Sequence, residues 1–146
     1  MNSPFQSSKY LHQGRHVSLL GYCGAALAGW GAFETPFAVW VFLFPHGPNF
    51  APEIGPAATF AVFSLAYTIG YLALFVFLAV PMRILVVRAE STVHEKLLPF
   101  ASAAAFALAS GIFEWLERSA RDASFLVMLF AVAGAVCMIV MQIVAK

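Results

Sequence analysis

Long stretches without a charged residue divide the chain into apolar segments joined by short polar ones. The charge-free stretches are residues 16–33, 35–52, 54–82, 97–113 and 123–145. Most of them approach the roughly 20 residues that a helix needs to cross about 30 Å of hydrocarbon. They lack the alternation of barrel strands, and backbone inside a membrane must bond internally. The pattern therefore predicts an all-α integral membrane four-helix bundle.

The predicted bundle forms a single transmembrane domain over residues 17–146, preceded by a polar N-terminal lead-in over residues 1–16. The expected helices are about 17–44, 57–87, 97–116 and 123–145. A loop with four prolines and two glycines joins the first two helices, because such a composition cannot continue a helix.

A proline interrupts the first apolar segment. Pro36 follows Glu34 and Thr35, and proline removes an intrahelical hydrogen bond and clashes with the preceding turn. Two arrangements fit: one long helix kinked near Glu34–Pro36, or a helix broken there and followed by an interfacial segment over residues 36–44. The length of the apolar run slightly favours the broken helix.

The distribution of Lys and Arg predicts the orientation in the membrane. With four spans, one side carries Lys9, Arg15, Arg83, Arg88, Lys96 and Lys146, and the other carries Arg118 and Arg121. Basic residues are enriched on the cytoplasmic or matrix side. We therefore expect both termini to lie inside, in a multi-pass protein of a bacterial cytoplasmic or an organellar inner membrane.

Composition agrees with a membrane protein and excludes several classes. The 146 residues are 62% hydrophobic and 10% charged, whereas soluble domains carry about 25% charged residues. A net charge of +1 without a basic run offers nothing to nucleic acid. Cys23 and Cys137 match no disulfide or CxxC pattern, and the four histidines lie outside the spans. We expect no metal site and no cofactor, but we do expect bound lipid.

Small residues recur at every fourth position in two of the predicted helices. They are Gly21, Ala25 and Gly29 in the first, and Ala101, Ala105 and Ala109 in the third. Membrane helices associate where small residues allow their backbones to approach. We predict that these residues pack the bundle, and a dimerisation face is the alternative.

Glu34 and Glu114 are acidic residues predicted to lie inside spans. Counting 1.5 Å per residue places each roughly 25 Å from the inner interface, so the two carboxylates share one level. An ionisable group inside a span suggests function, and the pair is a candidate proton- or cation-binding site. In the structural alternative, Arg118 pairs with Glu114, while Glu34 caps backbone at the proline break or binds Arg121.

Tyr67 and Tyr71 place hydroxyl groups in the middle of the second span, with Ser64 and Thr68 nearby. Hydrogen bonding between helices is the favoured interpretation. A contact with a lipid or a quinone is the alternative.

The sequence contains no recognisable catalytic motif. We therefore expect a non-catalytic accessory or structural subunit of a larger membrane complex, for example an energy-transducing one. Its partners would be membrane lipids and other membrane subunits, or further copies of itself. Two alternatives stay open: a small oligomeric proton- or cation-coupled transporter or channel that uses the membrane carboxylates, and a membrane enzyme acting on a lipophilic substrate.

Overall fold

Four helices make up nearly all of the part of the chain that the structure describes. The computed structural model describes residues 17–44, 55–88, 92–117 and 123–145. The helices are α1 (Leu19–Leu43), α2 (Gly55–Arg88), α3 (Thr92–Glu117) and α4 (Ala123–Val144). Each contains a stretch long and apolar enough to cross a membrane. The predicted all-α four-helix bundle is confirmed, whereas the predicted lead-in over residues 1–16 lies outside the described residues.

The first helix runs through its proline without ending. Ser18 caps its start by accepting a hydrogen bond from the Gly21 N–H at 3.1 Å, and Pro36 lies in the helix interior. The broken-helix arrangement, with an interfacial segment after Glu34, is therefore wrong. Phe33 and Phe37 are both buried on either side of the proline. Their shared packing stabilises the helix through this point, and a break would leave more backbone groups unpaired in the membrane.

The central helix of the bundle is α4, which packs along both α1 and α3. Of its apolar stretch 44% is buried, against 22–28% in the other three helices. Gly21, near the start of α1, lies against Val144 at the end of α4, so the two helices are antiparallel. This contact also places the start of α1 and the end of α4 at one end of the bundle, as the predicted topology requires.

The longest helix, α2, changes neighbours along its length. Its first part contacts α1, and its last part contacts α3. A π-helical turn over Phe75–Ala79 separates α-helical Gly55–Leu74 from Val80–Arg88. With 34 residues, α2 is about 51 Å long, which exceeds the hydrocarbon thickness and requires tilt or extension beyond it.

The packed face of α3 differs from the predicted one. Ala101 is exposed, and Ala105 and Ala109 are half-buried. The buried positions of α3 are Leu98, Ser102, Phe106 and Ser110. The small residue at this interface belongs to α4: a Cβ atom at Gly134 would lie 2.8 Å from Phe106 Cγ and 3.0 Å from the Ser102 carbonyl oxygen. The packing role predicted for Ala101 is therefore corrected, and the closest packing of α3 lies on the serine-containing face beside the alanines.

Candidate functional site

A carboxylate of α1 is bonded to two hydroxyl groups of α2. Glu34 is only 6% exposed. Its Oε2 accepts a hydrogen bond from Ser64 Oγ at 2.9 Å, and its Oε1 accepts one from Thr68 Oγ1 at 3.0 Å. Ser64 and Thr68 are four residues apart, so they lie on the same face of α2. Both oxygens of Glu34 thus join α1 to α2.

An indole group extends this chain of hydrogen bonds. Trp30 Nε1 donates to Thr68 Oγ1 at 2.9 Å. Because an indole nitrogen can only donate, the Thr68 hydroxyl accepts from Trp30 and is left to donate to Glu34. Trp30 is 38% exposed. The hydrogen bonds therefore run from the surface of the bundle to a buried carboxylate; we name Trp30, Glu34, Ser64 and Thr68 the polar network.

The polar network lies well inside the helices. Glu34 precedes Leu43, the last residue of α1, by nine positions, which is about 13 Å along the axis. A carboxylate at such depth is costly and is expected to pair with other polar groups. Hydrogen bonds between membrane helices contribute about 0.6 kcal/mol on average and up to about 1.7 kcal/mol. The polar network therefore contributes to the stability of the contact between α1 and α2.

The predicted partners of Glu34 are not the ones the structure describes. Arg118 and Arg121 lie outside the described residues, and Glu114 is described only as a position in α3. The meeting of Glu34 with Glu114 stays a prediction, and so do the ion pairs with the two arginines. Instead of capping backbone near Pro36, Glu34 bonds the hydroxyls of α2. The Ser64–Thr68 spacing of four residues was the available signal, but sequence reasoning did not connect it to Glu34.

The two tyrosines of α2 have different surroundings. Tyr71 is fully buried, and its hydroxyl donates to the Ala26 carbonyl oxygen of α1 at 3.0 Å. This is the hydrogen bonding between helices that was the favoured interpretation. Tyr67 instead joins an aromatic cluster, with ring centroids 5.5 Å from Phe37 and 6.2 Å from Phe130.

A cavity of about 340 Å³ opens between α2 and α3. Four rings line it: those of Phe63 and Tyr67 from α2, Phe113 from α3 and Phe130 from α4. We call it the ring-lined cavity. Tyr67 is thus the tyrosine in its wall, and Tyr71 is not among the lining residues.

An ion pair and a neighbouring hydrogen bond join three helices at the end where α1 begins and α4 ends. Arg83 of α2 is 2% exposed, and its Nη1 lies 3.1 Å from Glu95 Oε1 of α3. Gln142 of α4 donates to the Glu95 carbonyl oxygen. Sequence reasoning used Arg83 only as an orientation marker. The missed signal was a basic residue before the end of a long apolar helix, followed by the acidic Glu95 in the first turn of the next helix.

The described residues contain no group of three or more His, Cys, Asp or Glu side chains that could hold a metal ion. Cys23 is exposed and Cys137 is buried, and neither forms a disulfide.

Comparison with protein family models, with curated proteins and with solved structures finds no match to this chain.

Proposed function

We propose that this chain is a non-catalytic accessory subunit that packs against other helices of a larger membrane assembly. The observation that carries the proposal is a row of small residues on α1 in which two glycines have open space beside them. A Cβ atom built at Gly24 or Gly31 would meet nothing within 4 Å. On the face of α1 that packs against α4, a Cβ atom at Gly21 would lie 2.7 Å from Val144 Cγ1.

The row of small residues has the spacing of one helix face. Gly24, Ala28, Gly31 and Thr35 follow one another at intervals of three or four residues, which brings them to the same side of α1. Lipid tails solvate a large aliphatic side chain as well as another helix does, so lipid gives no advantage to glycine there. Small residues do favour the close approach of a second helix. This supports a helix partner for α1.

The polar network supports a structural role for the membrane carboxylate. Both oxygens of Glu34 accept hydrogen bonds from α2, so a proton or cation site would have to compete with bonds that join two helices. A transporter or channel is the second candidate function. It is favoured by one observation, the buried carboxylate of Glu34 within a helix long and apolar enough to cross a membrane.

The first experiment is purification in nanodiscs from the native membrane, followed by native mass spectrometry. We expect other polypeptides in a fixed ratio to this chain. Gly31→Leu should abolish their recovery while helicity is retained. The matched control is Ala61→Leu, which adds the same side chain at an exposed position of α2 and should leave recovery unchanged. Isolation as a monomer, or only as copies of itself, would refute the subunit proposal.

A flux assay separates the two candidate functions. The purified chain in liposomes should show no proton or cation flux above that of empty liposomes. A flux that Glu34→Gln abolishes without loss of helicity would replace the subunit proposal with a transporter. The proposed location is a bacterial cytoplasmic or an organellar inner membrane with both termini inside, as the basic residues predict.

A further inference from the structure

The ring-lined cavity has the size and walls of a small-molecule site. Its volume of about 340 Å³ lies in the range of about 300–1,000 Å³ that is usual for such sites. We infer that it binds a neutral lipophile with a flat aromatic ring, which enters from the bilayer. This inference is independent of the proposed subunit role, because it concerns a face formed by α2, α3 and α4.

The arrangement of the helices creates the space. The first part of α2 packs on α1 and only its last part reaches α3, so the first part of α2 stands apart from the second half of α3. Small residues, Gly70 of α2 and Ala109 of α3, line the gap. A Cβ atom at Gly70 would find its nearest neighbour, Phe130 Cζ, 4.0 Å away. The wall at Gly70 is therefore open to a ligand.

Aromatic walls select a ring over a lipid tail. A hydrocarbon chain already has an apolar environment in the bilayer, so it gains little by moving into an apolar cavity. A flat ring gains stacked or edge-to-face contacts in addition. The inner wall is held in place for such contacts, because the Phe130 ring packs on Phe33 with a centroid distance of 4.8 Å and meets Tyr67 edge-on at 76°.

The charge and hydrogen-bonding groups of the wall restrict which ligands can bind. None of the described side chains that line the cavity is charged, which favours an uncharged molecule. Ser110 is a wall residue with 6% exposure, and its hydroxyl donates to the Ala107 carbonyl oxygen at 3.1 Å. Because that proton is used within α3, the Ser110 oxygen can offer a ligand only an acceptor. A ring that carries a hydroxyl donor, such as a phenol or a naphthol, therefore suits the site.

The test compares naphthol with decahydronaphthol, which has the same carbon skeleton without aromatic rings. Each probe is equilibrated with phosphatidylcholine nanodiscs that contain the whole chain, and retention in empty nanodiscs is subtracted. We expect saturable naphthol binding that is about threefold to tenfold tighter than binding of decahydronaphthol. Equal retention of the two probes would overturn the inference and leave a cavity filled by lipid chains.

Two pairs of variants locate the binding. Gly70→Leu should fill the cavity and lower naphthol affinity at least tenfold, whereas the control Ala61→Leu on the same helix should bind as the unmodified chain does. Phe113→Leu removes a ring at a position that is 56% exposed, and should weaken naphthol about threefold to tenfold. Its control, Phe77→Leu, is 76% exposed and outside the wall. Unchanged binding by Gly70→Leu would place the probe elsewhere and refute the site.

Discussion

The point where α1, α2 and α4 meet leaves no room for a side chain on α1, and Gly29→Ala tests this directly. A Cβ atom at Gly29 would overlap the Tyr71 hydroxyl oxygen. It would also lie 2.9 Å from both the Ala133 carbonyl oxygen and Cys137 Cβ. Neither the carbonyl oxygen nor the Cβ atom can move by a side-chain rotation. The alanine must therefore push α1 away from α4 and displace the Tyr71 hydroxyl.

The expected loss of stability can be worked from these contacts. Overpacking a close interface costs about 1–3 kcal/mol. Displacing Tyr71 from the Ala26 carbonyl oxygen removes a hydrogen bond between membrane helices, which contributes about 0.6 kcal/mol on average and up to about 1.7 kcal/mol. Alanine recovers about 0.5–1 kcal/mol because it is a better helix former than glycine. The net prediction for Gly29→Ala is a destabilisation of about 1–4 kcal/mol.

Unfolding by SDS in mixed micelles, followed by circular dichroism, measures this free energy. The control is Gly24→Ala on the same helix, where the added methyl group meets nothing within 4 Å. Gly24→Ala should be as stable as the unmodified chain or up to about 1 kcal/mol more stable, because alanine is the better helix former and its methyl group meets no neighbour. If the two variants unfold at the same SDS fraction, the three-helix contact at Gly29 is not as close as described and the reasoning fails.

Three further predictions use the same unfolding assay. Glu34→Gln keeps an acceptor and adds a donor for the Ser64 and Thr68 hydroxyls, so it should cost less than about 1 kcal/mol; a larger loss would mean that the charge itself holds the network. Glu95→Gln leaves the buried Arg83 without its charged partner and should lower the free energy of unfolding by about 1–3 kcal/mol. This is less than for a fully buried ion pair, because Glu95 is partly exposed. An unchanged free energy of unfolding would show that the ion pair is not stabilising. Gly134→Ala should cost about 1–3 kcal/mol, and a neutral result would contradict the close approach of α3 and α4.

The number of helices and their approximate bounds could be predicted because hydrocarbon imposes a length on each apolar segment. The continuity of α1 could not be predicted. The sequence shows the local effect of Pro36, but it does not show the packing of Phe33 and Phe37 against the rest of the bundle. The face of α3 was misassigned for a related reason. Small residues indicate where helices can approach, but Gly134 on the partner helix decides which side of α3 is used.

The candidate sites show the same limit. A carboxylate inside an apolar span is energetically costly and therefore stands out in the sequence, so Glu34 could be predicted as a site residue. Its partners depend on which face of α2 turns toward α1, and a single sequence does not record that rotation. Of the ring-lined cavity, the sequence indicated only Tyr67 as a possible ligand contact. The cavity itself results from the separation of α2 from α3, which no residue pattern records.

The attachments of α2 link these features physically. Near one end it is bonded to α1 through the polar network, and near the other it is tied to α3 through Arg83 and Glu95. The π-helical turn Phe75–Ala79 lies between the two attachments. The ring-lined cavity lies between the first part of α2 and α3. Hydrogen bonds and ring contacts such as Tyr67 on Phe37 hold the first part of α2 to α1, whereas an ion pair ties its last part to α3. Because the first part of α2 is held to α1 and only its last part is tied to α3, space for the cavity remains between the first part of α2 and the second half of α3.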